Sequence, residues 1–240
     1  MYKSFYVRGR RKMEVLENKK IVAQEIIIKE MIKKTKKEKK IYNFSKRVFD
    51  IFFSFIGMIL LAPFFAIIAI VIKIDSKGPV FFTHKRIGEK GKEIGIYKFR
   101  TMVENAEDLI KSFTPEQQEE FNRCYKLEDD PRITKVGKFL RNTSLDELPQ
   151  IFNILKGELS IIGPRPIVQD ELKKYEENQE KFLSVRPGLT GYWAANGRSD
   201  TSYEERMKME LYYVDNMSFK LDVKIFFKTI LAVLKKEGAR

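Results

Sequence analysis

Asp146 and Glu147 lie side by side in the run Arg141-Asn142-Thr143-Ser144-Leu145-Asp146-Glu147-Leu148-Pro149-Gln150, and this pair could do chemistry. Ser144 followed three residues later by Glu147 also matches a capping box, which needs only a helix start. A helix N-terminus offers free amides and a positive dipole to anionic groups. With magnesium there, one carboxylate could hold the ion while the other attacks phosphorus. Three further stretches point toward phosphate. In Gly163-Pro164-Arg165-Pro166 two prolines fix the backbone around an arginine, whose planar fork suits bidentate phosphate contacts. Arg186-Pro187-Gly188-Leu189-Thr190-Gly191 and Asn196-Gly197-Arg198-Ser199-Asp200 add arginines in glycine-bearing loops. Each alone equally fits a surface salt bridge. A single cysteine, Cys124, and a single histidine, His84, exclude a disulfide framework, a Cys/His zinc cluster and the common Cys-His or Ser-His pairs.

The elements that must position these groups follow from periodicity. Val80-Phe81-Phe82 and Ile94 to Phe99 read as strands around the turn-rich 88–92, hence a hairpin. Helices are expected over 103–113, 149–155, 167–175, 203–216 and 219–236. The last carries an apolar stripe at 219, 223, 226, 230, 233 and 234, which suits either the core or a lipid surface.

Residues 51–72 form an uncharged run of 22, which reaches the roughly 20 residues needed to cross a bilayer as a helix. Pro63 near its middle predicts a bend. Orientation normally follows an excess of Lys and Arg on one side, but here both flanks are basic, with Lys46 and Arg47 before and Lys73, Lys77, Lys85 and Arg86 after. A spanning helix and a segment that turns at Ala62-Pro63 and returns both satisfy the sequence. Residues 1–47 carry a net charge of +11 of the chain's +13. That arm reads as a polybasic segment for anionic lipid or as a solvated tail. Its basic residues are not interleaved with a stacking platform of aromatics, which argues against nucleic acid.

Taken in order, seven motifs carry a resemblance. They are Lys46-Arg47-Val48-Phe49-Asp50, Tyr97-Lys98-Phe99-Arg100-Thr101-Met102, Asp130-Pro131-Arg132, the 144–150 run, Leu155-Lys156-Gly157-Glu158-Leu159-Ser160, Ile162-Gly163-Pro164-Arg165-Pro166 and 186–191. From about Ser45 onward the chain resembles the bacterial sugar transferases, polyprenyl-phosphate phosphoglycosyl transferases of the monotopic kind. The resemblance implies a helix-rich α+β fold in three parts. These are a basic arm over 1–44, a re-entrant helix-break-helix over 45–73 turning at Pro63, and a catalytic domain over 74–240 with a β-hairpin and amphipathic interface helices. It implies a place in one leaflet of the bacterial cytoplasmic membrane, at its cytoplasmic face, among membrane lipids.

The resemblance also implies a ping-pong transfer of hexose-1-phosphate from a UDP-sugar to polyprenyl phosphate, with release of UMP, at the first membrane step of glycan assembly. Downstream glycosyltransferases would take the product, and homo-oligomerisation stays open. Asp146 would be the nucleophile, Glu147 would help hold Mg2+, Lys98 and Arg165 would lie near phosphate, and Arg141 would lie at the membrane boundary by the dyad. Arg198 falls in the loop Gly191-Tyr192-Trp193-Ala194-Ala195-Asn196-Gly197-Arg198, which departs from the family pattern where nucleotide-sugar contacts are plausible. Galactose or glucose is expected ahead of an amino sugar. The competing class is a non-catalytic membrane-bound interaction module, whose polybasic arm binds lipid and whose Asp-Glu pair merely caps a helix.

Overall fold

A computed structural model describes the backbone of residues 2–124, 127, 129–197 and 201–235, and side chains in those ranges from residue 38 onward, except 122–124, 233 and 234. The fold is helix-rich α+β, as expected. Two units are distinguished: Met1–Lys46, which is helical from Tyr2, and Arg47–Arg240.

In chain order the elements are α1 (Tyr2–Asp75), β1 (Phe81–Ile87), β2 (Glu93–Phe99), α2 (Ala106–Leu109), α3 (Pro115–Cys124), α4 (Lys135–Asn142) and α5 (Gln150–Lys156). There follow β3 (Ser160–Ile162), α6 (Gln169–Lys173), α7 (Gln179–Leu183), β4 (Gly188–Thr190), α8 (Tyr192–Asn196), α9 (Tyr203–Asn216) and α10 (Phe219–Leu234). The expected hairpin is β1 paired antiparallel with β2, with Phe82 opposite Lys98, His84 opposite Ile96 and Arg86 opposite Ile94. β3 and β4 form a two-stranded parallel pair. This pair packs tightly because Gly163 and Gly188 let two backbones meet. A Cβ on Gly188 would stand 2.1 Å from the Gly163 nitrogen.

Residues 51–72 lie in α1, and helical structure continues through Pro63. It is the one helix, among the described residues, long and apolar enough by composition to cross a membrane. One side of it meets the rest of the unit. Asp50, Ser54 and Ile72 are buried, Phe65 and Ile68 pack on the Phe99–Leu140 cluster, and a Cβ on Gly57 would come within 3.0 Å of Ile151. Positions 50, 54, 57, 65, 68 and 72 share one helical face. The other side leaves Phe52, Leu60, Phe64, Ile67 and Ile70 exposed, Leu60 by 67%.

Both ends of this stretch are held by the same unit. Arg47 donates to the carbonyls of Ile154 (2.5 Å) and Leu155 (2.9 Å) at the C-terminus of α5. There a cation satisfies orphan helix carbonyls. Asp50 accepts from the Ser160 hydroxyl and the Ile161 amide at 3.1 and 2.9 Å. At the far end Arg100 donates to the Ser76 carbonyl (2.7 Å) and hydroxyl (3.0 Å), and Asp75 accepts from the Val136 amide. In α10 the part of that stripe whose side chains are described proves to be exposed, with positions 233 and 234 outside the described side chains. Phe219, Val223, Phe226 and Ile230 face outward, whereas Ile225 and Ala232 are buried. Phe219 meets Phe49 of α1 edge-on at 4.8 Å, so the apolar surface is continuous between the two helices.

Candidate active site

Asp146 and Glu147 stand on a single 3-10 turn, Leu145–Glu147, rather than inside the first turn of an α-helix. Ser144 precedes it with φ +57°, in the left-handed region that a non-glycine residue enters at a cost. Its side chain makes no capping hydrogen bond, so the capping box drawn from Ser144 and Glu147 does not form. The Glu147 carboxylate is given instead to Lys98, whose Nζ lies 2.7 Å from Oε1. The same ammonium lies 3.8 Å from Asp146 Oδ2. Lys98 therefore links the two carboxylates to β2.

Asn153 fixes that strand against α5. Its side chain is fully buried, accepts from the Tyr97 amide at 3.0 Å, and donates to the Gly95 carbonyl and to Glu158, both at 2.6 Å. In a strand, alternate residues share a face, and residues directly opposite across the pair share it too. The hairpin thus presents His84, Arg86, Ile96 and Lys98 together to an open cleft. Arg165, Trp193 and Glu210 line other parts of it. The Arg165 guanidinium lies 5.7 Å from the centre of the Trp193 ring, and the Arg165 amide donates to Glu210 at 3.1 Å.

The electrostatics favour an anion here. Burial, then the charges of Arg86, Lys98 and Arg165, push the His84 imidazole down to about 4. Arg86 is also shifted down, first by burial and next by Arg165. The positive charge that Arg86, Lys98 and Arg165 gather on one cleft suits phosphate oxygens. The two carboxylates respond oppositely. Burial holds Asp146 above the ordinary aspartate value against the charge of Lys98. Burial also works to raise Glu147, but the charge and hydrogen bond of Lys98, with Arg165 and Arg86 beyond, outweigh it and hold that group low.

Of the residues read from sequence, the structure gathers Lys98, Glu147 and Arg165 on the cleft, with Asp146 reached through Lys98. Arg141 does not line it. Its Nε donates to the Thr101 hydroxyl at 3.0 Å, and burial works against its charge while Asp146 and then Asp130 support it. Arg186 is engaged by Glu89 at 3.2 Å. Arg198 lies outside the described residues. Sequence reading passed over His84, Arg86, Asn153, Trp193 and Glu210 as site residues. Only the first two left a signal, since a His-x-Arg in a strand must point both side chains one way.

Paired carboxylates thus stand at the edge of a cation-lined cleft, an arrangement suited to phosphorylated substrates. The chain belongs to the bacterial sugar transferase family, whose model matches residues 41–236, and it is an enzyme that transfers sugar phosphate. It is 45% identical over 198 residues to the exopolysaccharide production protein ExoY of Sinorhizobium fredii, covering 81% of this chain and 88% of that protein. It is 42% identical over 200 residues to the undecaprenyl-phosphate galactose phosphotransferase of Salmonella typhimurium, covering 82% and 42% respectively. A third relative is the UDP-N-acetylgalactosamine-undecaprenyl-phosphate N-acetylgalactosaminephosphotransferase of Aeromonas hydrophila, 38% identical over 207 residues, 83% of this chain and 46% of that one. The chain thus spans most of the first relative and less than half of the other two. Family membership and the unformed capping box together displace the non-catalytic module.

Proposed function

We propose that this enzyme moves hexose-1-phosphate from a UDP-sugar onto polyprenyl phosphate through a phosphosugar-aspartate intermediate, opening the assembly of a lipid-linked glycan. The observation that carries the reading is the pair of uncapped carboxylates joined by Lys98 to a cleft lined by Arg86 and Arg165. In the first half-reaction an Asp146 oxygen attacks the sugar-proximal phosphorus, a P–O bond forms, and the bond to the departing UMP breaks. In the second, an oxygen of polyprenyl phosphate attacks the same phosphorus, and the Asp146 carboxylate leaves. The acyl phosphate preserves the energy of the broken diphosphate.

Burial suits Asp146 to the nucleophilic role, because its ionised oxygens are poorly solvated and are held by Lys98 in one place. Glu147, kept ionised, suits a cation. Two adjacent carboxylates with substrate phosphate oxygens fit the hard-oxygen set that Mg2+ takes, since that ion binds through one or two carboxylates plus phosphates. Glu147 would hold it, and the ion would neutralise charge developing on the phosphoryl oxygens. Arg165 and Arg86 would clamp spectator oxygens.

The grip on α1 supports a reading of its membrane topology. Contacts at Arg47 and Asp50 and at Ile72 to Ser76 bind both ends of the apolar stretch to one unit. A straight spanning helix would put those ends on opposite sides of a hydrocarbon core about 30 Å thick. This supports insertion into one leaflet from the cytoplasmic face, with the outward faces of α1 and α10 in lipid. The relatives named for galactose and N-acetylgalactosamine transfer make UDP-galactose the first donor to assay. Glycosyltransferases that extend the lipid-linked hexose would be the next enzymes to act.

The test is mass spectrometry of protein quenched with UDP-sugar in the absence of polyprenyl phosphate. A hexose phosphate is expected on the peptide containing Asp146, and Asp146→Asn should lose both the adduct and UMP release. An adduct on Glu147, or UMP release surviving in Asp146→Asn, would overturn the assignment.

A further inference from the structure

Glu210 is nearly completely buried in the middle of α9, yet it lines the cleft. Its Oε1 accepts from the Arg165 amide, which accounts for half of the carboxylate. Its Oε2 has no hydrogen-bond partner among the described residues, and neither do Nε and Nη2 of Arg206 or the hydroxyl of Tyr175. Arg206 and Tyr175 lie close enough for electrostatic influence: Arg206 acts on Glu210, and both Glu210 and Arg206 act on Tyr175. Arg206 also sits 4.9 Å from the centre of the Trp193 ring, the same ring that Arg165 approaches. Buried polar atoms are normally satisfied, and an exception at a binding cleft calls for a partner.

The cations His84 would otherwise join, Arg86, Lys98 and Arg165, are suited to the diphosphate of a donor. Beyond its diphosphate such a donor carries uracil, ribose and hexose, and all but one of its remaining hydrogen-bond donors, the uracil N–H, are sugar hydroxyls. Gly191 borders the Glu210 carboxylate, and it is glycine because a Cβ would stand 2.1 Å from the Gly163 carbonyl oxygen. A Cβ there would stand 3.9 Å from Oε2. Resting on the nucleotide-sugar reading above, we propose that Glu210 is a specificity-determining residue whose Oε2 hydrogen-bonds a sugar hydroxyl of the donor, while its Oε1 holds the loop of Arg165. Recognition of the sugar and placement of the phosphate clamp then run through one side chain. Burial raises the Glu210 carboxyl to about 7, against the Arg165 amide and the charges of Arg206 and Arg165. That direction agrees with an oxygen still short of a donor.

Glu210→Gln tests this, because the amide oxygen can still accept from Arg165 while an NH2 replaces Oε2. Wild type and variant are assayed for UMP release with UDP-galactose, UDP-glucose and UDP-hexoses deoxygenated at single positions, with thermal unfolding as the check on folding. The expected result is a fall of about 10-fold or more in kcat/KM with the complete donor, mainly through KM, as for loss of a hydrogen bond to a charged group. With the one donor lacking the contacted hydroxyl, the two enzymes should differ less than about 3-fold. Inhibition by UMP and by 2′-deoxy-UMP separates the sources: a hexose contact leaves both inhibition constants unchanged, and a contact to the ribose 2′-hydroxyl shifts that of UMP alone. An equal loss across every donor and inhibitor, or no loss, would overturn the proposal and leave Glu210 a support for Arg165. Absence of UMP release by wild type with every donor would instead remove the nucleotide-sugar reading itself.

Discussion

His84 is the chain's single histidine, so its protonation can be followed alone. Its folded value of about 4 lies below the unperturbed value of about 6.5. Between those values the unfolded chain takes up a proton that the folded protein refuses. Stability contributed by the neutral ring is therefore present above about pH 6.5 and is lost as pH falls toward 4. The imidazole carbon-proton resonance should stay flat from pH 8 to 5.5. Thermal unfolding of His84→Gln should lose less stability across pH 6.5 to 4 than wild type. A midpoint near 6.5 in the resonance would mean that neither burial nor the neighbouring cations act on the ring. Within the dyad, Glu147→Gln is expected to weaken magnesium use and to retain slow UMP release at high metal. Equal loss at all magnesium concentrations would take Glu147 out of the metal site.

At the scale of elements, two short devices set the site. The turn that carries the dyad begins at Ser144 in the left-handed region. Ser144→Gly should be neutral or slightly stabilising, whereas Ser144→Val, with a branched Cβ, should cost about 1–2 kcal/mol. Thermal unfolding in detergent distinguishes them, and equal melting of the two would mean that the turn relaxes out of this conformation. Asn153 ties β2 to α5 through the Tyr97 amide and the Gly95 carbonyl. Asn153→Ala leaves both of these part-buried groups without their partner and should destabilise by roughly 2 kcal/mol, from about 1–3 kcal/mol for each group left unsatisfied. Because Lys98 follows on the same strand, turnover should fall as well. Loss of stability with turnover intact would show that Lys98 is held by other means.

For the whole molecule, the decisive feature is that one unit grips an apolar helix at both ends. In a cysteine-free background, Ser45→Cys and Lys77→Cys should be labelled by an impermeant thiol reagent from the cytoplasmic side only. Labelling of one position from each side would mean a spanning helix. Pro63 costs about 3 kcal/mol within a helix interior, so Pro63→Leu should shift part of the population toward opposite-side labelling. The exposed apolar faces of α1 and α10 add a second expectation. The purified protein should need detergent or lipid to remain monodisperse, because patches larger than a few hundred Å² drive association in water.

By itself the sequence determined what local composition and order can carry. Strand alternation gave the hairpin, an uncharged run of 22 gave the membrane segment, and the ordered motifs gave the family and the Asp146-Glu147 pair. It also located α9 at its observed limits, because a capping box at Ser202 and Glu205 starts that helix where the pattern does. The same four-residue pattern at Ser144 misled, since Lys98, 49 residues away, competes for Glu147 with a full charge. No local rule contains that competitor. Asn153 and Glu210 looked like ordinary polar positions of helices until folding buried them against β2 and the Arg165 loop. Arg86 became a cleft residue only when the hairpin register set its face of β1 beside Lys98 of β2, and Arg186 was withdrawn by Glu89 across the fold. Tertiary structure decided these points because burial and charge pairing depend on groups far apart in the chain, and each alters what a side chain can do once water has been removed from it.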